Sequence, residues 1–340
     1  MHLFEPADNS GILPIAYFHA LARLGVEGLV VIEPARPFVS LGAFDDAATT
    51  VDLDYCRDHA LAVMRRETGG GMVLLGPGQI FYTLVVKRPH PIVPSRVDDA
   101  YRHLSEAPIA VYRKFGVETR RGPLNDIVTT DGRKIAGQGA GDINGHFCFV
   151  GSILIDFDTD LMHRIVRLPD EGLRPELKAA LEEGLTGIHA ETKSRPPAAA
   201  VKAALAAAFA PLIGGLSPHP VPSCLMAAAR EVAHELCRAD IVQSDETRPR
   251  ALFKVHEGLY LCQRAMSAPM GRVMVSLAVR DLRIAAARVH APWGRHLDPD
   301  VSTLIGQRFD REGLSRGLPD TGVLGIARED FIAALLAPNL

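Results

Sequence analysis

Two short stretches hold residues whose types and spacing suit chemistry. The first is RRETGGGMVLLGPGQ, residues 65–79. Consecutive glycines let backbone N–H groups approach an anion and adopt positive φ. Arg65 and Arg66, just before them, offer planar and permanently charged forks for a carboxylate or phosphate. The second stretch is LNDIVTTDGRKIAGQGAGD, residues 124–142. Asp131-Gly132 reads as the turn of a hairpin, so Asp126 on one strand and Lys134 on the other share a neighbourhood. An acid able to hold Mg2+ beside a lysine able to neutralise phosphate oxygens is a minimal kit for handling a nucleotide. Each stretch also has a plainer reading: a tight sheet connection with exposed arginines, and a surface salt bridge across a hairpin.

Other motifs fail on spacing or context. The glycine loop stands between strands and lacks a G-K-[ST] ending, which counts against a P-loop. Gly137, Gly139 and Gly141, with Asp156 and Asp158 further on, resemble a dinucleotide fingerprint. The third glycine of that fingerprint should fall at 142, which is Asp142, and a strand follows where a helix is required. His146, His163 and His189 have no metal-ligand spacing. Cys148 lies in an apolar strand with no adjacent base and reads as a buried, inert thiol.

The elements that must position these residues follow from hydrophobic period. Residues 12–24 and 96–116 repeat apolar positions at helical spacing, and Asp54–Met64 can begin as a capped helix. GLVVIEP, PFVSLGAF, QIFYTLVVK and HFCFVGSILIDFD read as strands. From about 159 to 240 the pattern is helical, broken by SRPPAAA and GGLSPHPVPS. The polar run DIVQSDETRPR, 240–250, reads as a linker between a domain over 1–240 and a small α+β unit over 251–340.

The 340 residues can bury a sizeable core. A net charge of −3 argues against a nucleic-acid partner, and no apolar run is long enough to suggest a membrane span. Five cysteines without a C-x-x-C pair, and an N-terminus without a secretory pattern, lead us to expect a soluble protein of the cytoplasm.

Taken together, the motifs resemble the lipoate–protein ligase branch of the biotin/lipoate ligase family. RRETGGGMVLLGPGQIFYTLV resembles its lipoate-binding loop and following strand, and NDIVTTDGRKIAGQG its N-D-[IL]-V…K-[IV]-[AS]-G segment. VVIEPARPFVSLGAFDD, VGSILIDFDTDLM…LPDEGLR and the weaker GLTGIHAET match in the right order, covering roughly residues 15–195. The resemblance implies a mixed α/β domain whose mostly antiparallel central sheet is flanked by helices, related to class II aminoacyl-tRNA synthetases. The small C-terminal unit would be an accessory domain, with 240–250 as a hinge.

It also implies a two-step reaction. Lipoate or octanoate attacks the α-phosphate of ATP, aided by Mg2+, to give an acyl-adenylate, and a lysine of a lipoyl carrier protein then takes the acyl group. Carriers of this kind belong to 2-oxo acid dehydrogenases, glycine cleavage or a related system. By the same resemblance Lys134 is catalytic, while Arg66, Thr68, Gly69, Gly70, Gly71, Met72, Gln79 and Gly137 bind lipoate and its adenylate. Asn125, Asp126 and Gly151 bind ATP, and Asp126 binds the metal. Val73, Leu74, Phe81 and Tyr82 are candidates for the apolar acyl slot.

Three features depart from the family pattern. Leu75 and Val150 stand where many relatives have histidine, and GQGAGDI lacks the arginine-bearing stretch that often follows the lysine. Two alternatives therefore stand beside the ligase: a cysteine-dependent octanoyl or lipoyl transferase without ATP, and a non-catalytic lipoyl-binding relative. The glycines follow the arginines here, unlike the G-R-G-R-R order of biotin ligases.

Overall fold

The computed structural model describes residues 1–122, 125–168, 170–243, 252–256, 259–291 and 301–337. The chain divides into two compact units, Met1–Ile165 with Glu183–Thr247, and Val166–Glu182 with Arg248–Leu340. Of the expected linker at 240–250, residues 244–250 lie outside the described residues. Residues 166–182 group with the second unit, whereas the sequence reading placed everything up to 240 in one domain. An ion pair from Arg288 Nε to Asp170 Oδ2 at 3.0 Å ties that segment to its unit.

The first unit is built on an eight-stranded sheet in the order β11-β1-β2-β6-β10-β9-β8-β7. Its strands are β1 (His2–Phe4), β2 (Gly28–Ile32), β6 (Gln79–Lys87), β7 (Thr119–Arg121), β8 (Asp126–Thr129), β9 (Lys134–Ile143), β10 (His146–Leu154) and β11 (Ser217–Pro218). Only β1 pairs in parallel, with β2 and β11; every other neighbour is antiparallel. A second sheet sets β3 (Phe38–Leu41) between β4 (Ala62–Arg65) and β5 (Val73–Leu75).

Helices cover both faces of the large sheet, as expected of a strand like β6 that is buried at eight of nine positions. Alternation along β6 sends Phe81 and Val85 to one core, with Phe18 of helix α1 (Leu13–Leu24) and Leu225 and Val232 of helix Ser223–Leu236. Ile80, Tyr82, Leu84 and Val86 go to the other, with Tyr112 of helix Glu106–Lys114 and Phe209 of helix Ala198–Phe209. α1 starts at Leu13-Pro14 and ends on Gly25 at φ 69°, a left-handed cap that only glycine adopts freely.

Two expected helices are shorter than their apolar pattern. The run 96–116 splits into Val97–Leu104 and Glu106–Lys114, because Pro108 has no N–H for the Leu104 carbonyl and would clash with it. The helix expected over Asp54–Met64 covers only Leu53–Asp58. Ala60 turns the chain at φ 53°, and Ala62–Arg65 then pairs in parallel with β3, burying Met64.

The second unit holds an antiparallel sheet of four strands, β12 (Leu252–His256), β13 (Leu259–Ala268), β14 (Gly271–Arg280) and β15 (Arg283–His290). Helices Arg311–Gly317 and Arg328–Leu336 supply Leu314, Phe331 and Ile332 to its core.

Candidate functional site

A strip of bare backbone runs along β9. Val150 and Cys148 of β10 pair with Gly139 and Gly141 and point into the α1 core, so these glycines face that side too. Gly137 is two residues earlier on the same face, and Gln138, pointing to the opposite face, bonds the Tyr82 hydroxyl. Three glycines at a period of two therefore leave one face of a central strand without side chains.

The glycine loop lies on this strip. A Cβ on Gly141 would meet Thr68 at 3.1–3.3 Å, and one on Gly139 would stand 4.0 Å from the Gly69 carbonyl oxygen and 3.0 Å from Val150. A Cβ on Gly42 would come within 2.0 Å of the Gly70 oxygen. The close approach inferred from three consecutive glycines is thus, in part, an approach to other backbone.

Both arginines are bonded to backbone carbonyls, and Arg66 to those of the loop itself. Arg66 Nη2 donates to the carbonyls of Gly69 and Gly71 at 2.9 and 2.8 Å, and Nη1 to the Ser40 carbonyl at 2.9 Å. Arg65 donates to the carbonyls of Gly42, Ala43, Asp45, Ile241 and Val242 at 2.6–3.2 Å. They are only 6% and 5% exposed, and a buried guanidinium requires acceptors wherever its N–H groups point. Arg66, expected to bind lipoate and its adenylate, draws the loop carbonyls toward itself.

Lys134 and Asp126 stand at the start of the strip. Lys134 Nζ lies 2.8 Å from Asp126 Oδ1, with the aspartate side chain 2% exposed and the lysine 25%. A bulge makes this possible. Ile127 pairs with Ala136 but Val128 with Lys134, so the extra residue Ile135 shifts the phase of β9. Lys134 and Gly137, three apart, thereby share a face, and a Cβ on Gly137 would meet Lys134 Nζ at 3.5 Å. Gly139, under the loop, is only two residues or about 7 Å further along. The GLTGIHAET segment braces the strand, with Thr186 N donating to the Lys134 carbonyl at 2.9 Å and Arg133 Nη2 to Glu191 at 3.0 Å.

Residues 18–210 match the Lipoyl protein ligase A/B catalytic domain, more than half of the chain. The chain belongs to this family. It is 28% identical over 232 residues to an octanoyltransferase LipM of Geobacillus kaustophilus, covering 62% of this chain and 82% of that protein. Among solved structures it resembles the bipartite lipoate protein ligase of Thermoplasma acidophilum, with TM-score 0.63 and 22% identity over 73% of this chain and 97% of the other. A lipoate-protein ligase A bound with ATP gives TM-score 0.58 and 21% identity over 71% and 97%. These likenesses confirm the mixed α/β fold with its mostly antiparallel sheet.

Within this frame, Thr68 and Gly69 meet the sheet face that also carries Gly137, Asp126 and Lys134, while Gly70 lies beside Gly42 and the Gly71 carbonyl accepts from Arg66. Met72 follows the loop as a buried side chain, and Gln79 Nε2 donates to the Leu74 carbonyl at 3.3 Å. Gly151 does not join them. It lies on the opposite face, where a Cβ would stand 2.4 Å from the Tyr82 hydroxyl. Its bareness admits Tyr82 to Gln138, whose Oε1 accepts from Ser105 at 2.8 Å and whose N–H reaches the Asn125 carbonyl at 3.0 Å. Asn125 Nδ2 returns a bond to the Gln138 carbonyl, so Asn125 clamps β9. Gly151→Ala should therefore cost about 1–3 kcal/mol by stranding these buried polar groups. A urea midpoint unchanged from wild type would contradict this.

Tyr82 likewise points away from the strip, whereas Phe81 shares the α1 core with Leu75 and Val150. Both departures from the family histidines thus sit in one apolar cluster. Asp126, expected to bind the metal, has its Oδ1 2.8 Å from Lys134 Nζ. The described residues contain no group of three or more His, Cys, Asp or Glu able to hold a metal ion by themselves, whereas Mg2+ held by one carboxylate and substrate phosphates needs no such group. Among the described residues no helix is long and apolar enough to cross a membrane.

The sequence reading missed His19, Gln138, Ser40 and the glycine strip. The strip had a signal, since glycine at i, i+2 and i+4 in a strand clears one face.

Proposed function

We propose that this protein is an ATP-dependent lipoate–protein ligase, activating lipoate or octanoate as the acyl-adenylate and passing it to a lysine of a lipoyl carrier. The observation that carries this reading is the Lys134–Asp126 pair at the end of a strip roofed by the glycine loop. An acyl chain bound against the glycine loop would lie on backbone, with the ammonium of Lys134 where the carboxylate would end. In the first step a carboxylate oxygen bonds to the α-phosphorus of ATP and pyrophosphate leaves. In the second the carrier amine bonds to the acyl carbon, AMP leaves, and the amine loses its proton. Both steps pass through crowded anions that a fixed ammonium stabilises. Asp126 orients that ammonium, and Lys134 needs only a small movement to exchange its carboxylate for a substrate oxygen.

Cysteine-dependent octanoyl transfer is the second reading, favoured by the relation to an octanoyltransferase. It needs a thiolate beside the lysine. Cys148 pairs with Gly141, about 20 Å along β9 from Lys134 at the usual strand rise. It is buried in the α1 core, and desolvation pushes its thiol up to about 12. Cys148→Ser should accordingly leave acyl transfer within about twofold of wild type, as expected of an inert thiol.

The deciding assay measures AMP released from ATP in the presence of lipoate or octanoate, with and without an apo carrier domain. Acid-dependent AMP supports the ligase. Octanoyl exchange between carriers without AMP, lost on a cysteine-to-serine change, replaces it with the transferase. On the ligase reading the unit carrying β12–β15 serves as accessory domain, and a soluble, cytoplasmic setting supplies the ATP.

A further inference from the structure

The glycine loop is entered through Glu67, the residue between Arg66 and Thr68, and its backbone is held by a side chain from another element. His19 of α1 is fully buried, its ring 3.9 Å from that of Phe18. Its Nε2 accepts from the Glu67 N–H at 3.1 Å, and its Nδ1 lies 3.1 Å from the Ile15 carbonyl. An imidazole that accepts at Nε2 must carry its proton at Nδ1, which the Ile15 carbonyl receives. The Glu67 carboxylate is held from the same helix by Arg23 Nη2 at 3.0 Å, and Arg23 also reaches Glu235 at 2.7 and 2.9 Å. α1 therefore grips both the backbone and the side chain of the residue where the loop begins.

We infer that His19 is a positioning residue for acyl binding: as a neutral acceptor it fixes the Glu67 amide and thereby the height of the glycine loop above the β9 strip. This rests on the ligase reading for what the loop binds, but the mechanical part stands on the geometry. Arg66 shapes the loop from within, through the carbonyls of Gly69 and Gly71; His19 sets where its first residue leaves the small sheet. Burial keeps the imidazole neutral, pushing it down to about 3 although Glu67 and Glu235 face it along with Arg23 and Arg66. The acceptor is consequently present throughout the working pH range. Backbone packed on backbone depends on such spacing, because no side chain can rotate to take up slack.

The test compares His19→Leu, which keeps volume but has no acceptor, with His19→Gln, whose amide oxygen can reach the place of Nε2. Two readouts are taken on the full chain: hydrogen exchange at the Glu67 and glycine-loop amides, and dissociation constants for lipoate and octanoate by calorimetry. Loss of one buried acceptor should accelerate exchange at Glu67 and weaken acyl binding about tenfold in the leucine variant. The glutamine variant should stay close to wild type in both. In turnover assays the leucine change should appear in KM for the acyl acid rather than in kcat. Equal protection and equal affinity in wild type and His19→Leu, with both folded, would overturn the inference. Faster exchange at Glu67 without weaker binding would overturn it as well. If wild type itself binds neither acid, it is the ligase reading that fails, and the exchange data alone then decide whether His19 holds the loop.

Discussion

Lys134→Ala is expected to reduce acyl-dependent AMP release about a thousandfold or more, since the ammonium is the positive group at the end of the strip. The same change should destabilise the fold by about 3 kcal/mol, because it strands the buried Asp126 carboxylate. The two effects can be separated. Lys134→Ala combined with Asp126→Asn removes the stranded charge, so its urea midpoint should recover toward wild type while AMP release stays absent. Lys134→Arg keeps a charge but spreads it over a wider fork that cannot settle on Gly137 as the ammonium does, so partial activity at best is expected. Recovery of AMP release in the double variant would remove Lys134 from the chemistry and reduce the pair to a stabilising contact.

How much of this arrangement could be read from sequence depended on whether the deciding force was local. The β8–β9 hairpin was legible because Asp131-Gly132 demands a turn, and Gly132 does take a φ of 91°. The juxtaposition of Lys134 with Asp126 followed from the hairpin, but the bulge at Ile135 that aligns them has no local signature. It emerges from packing, since Ile135 and Ala136 both enter the core beneath helix Glu106–Lys114. The acceptors of the arginines were not legible. From sequence a guanidinium beside glycines suggests an anion outside; in the fold the same donors meet carbonyls that the loop turns inward. The face on which Gly151 lies was not legible, for the phase of β10 is set by its pairing with Tyr82 and Gln138. His19 was invisible because its partner is a backbone amide 48 residues away.

The sharpest separation of loop architecture from ligand contact comes from two glycines. At Gly42 an added methyl would stand 2.0 Å from the Gly70 oxygen, backbone against backbone, with no side chain able to yield. Gly42→Ala must push β3 and the glycine loop apart, so stability and acyl binding should fall together, the former by about 1–3 kcal/mol as for overpacking elsewhere. At Gly69 an added methyl meets nothing within 4 Å, and the backbone is not in the left-handed region. The free protein should therefore tolerate Gly69→Ala with unchanged or slightly raised stability, the unfolded chain having lost some freedom. If the acyl-adenylate lies against the loop, that methyl occupies its space, and kcat/KM for the acyl acid should drop about a hundredfold, equivalent to a few kcal/mol of lost transition-state contact. Thermal melting and AMP release measured on the same preparations decide the matter. A Gly69→Ala protein that melts like wild type and turns over like wild type would mean that the three glycines serve the packing of backbone on backbone, and that the acyl group is bound elsewhere.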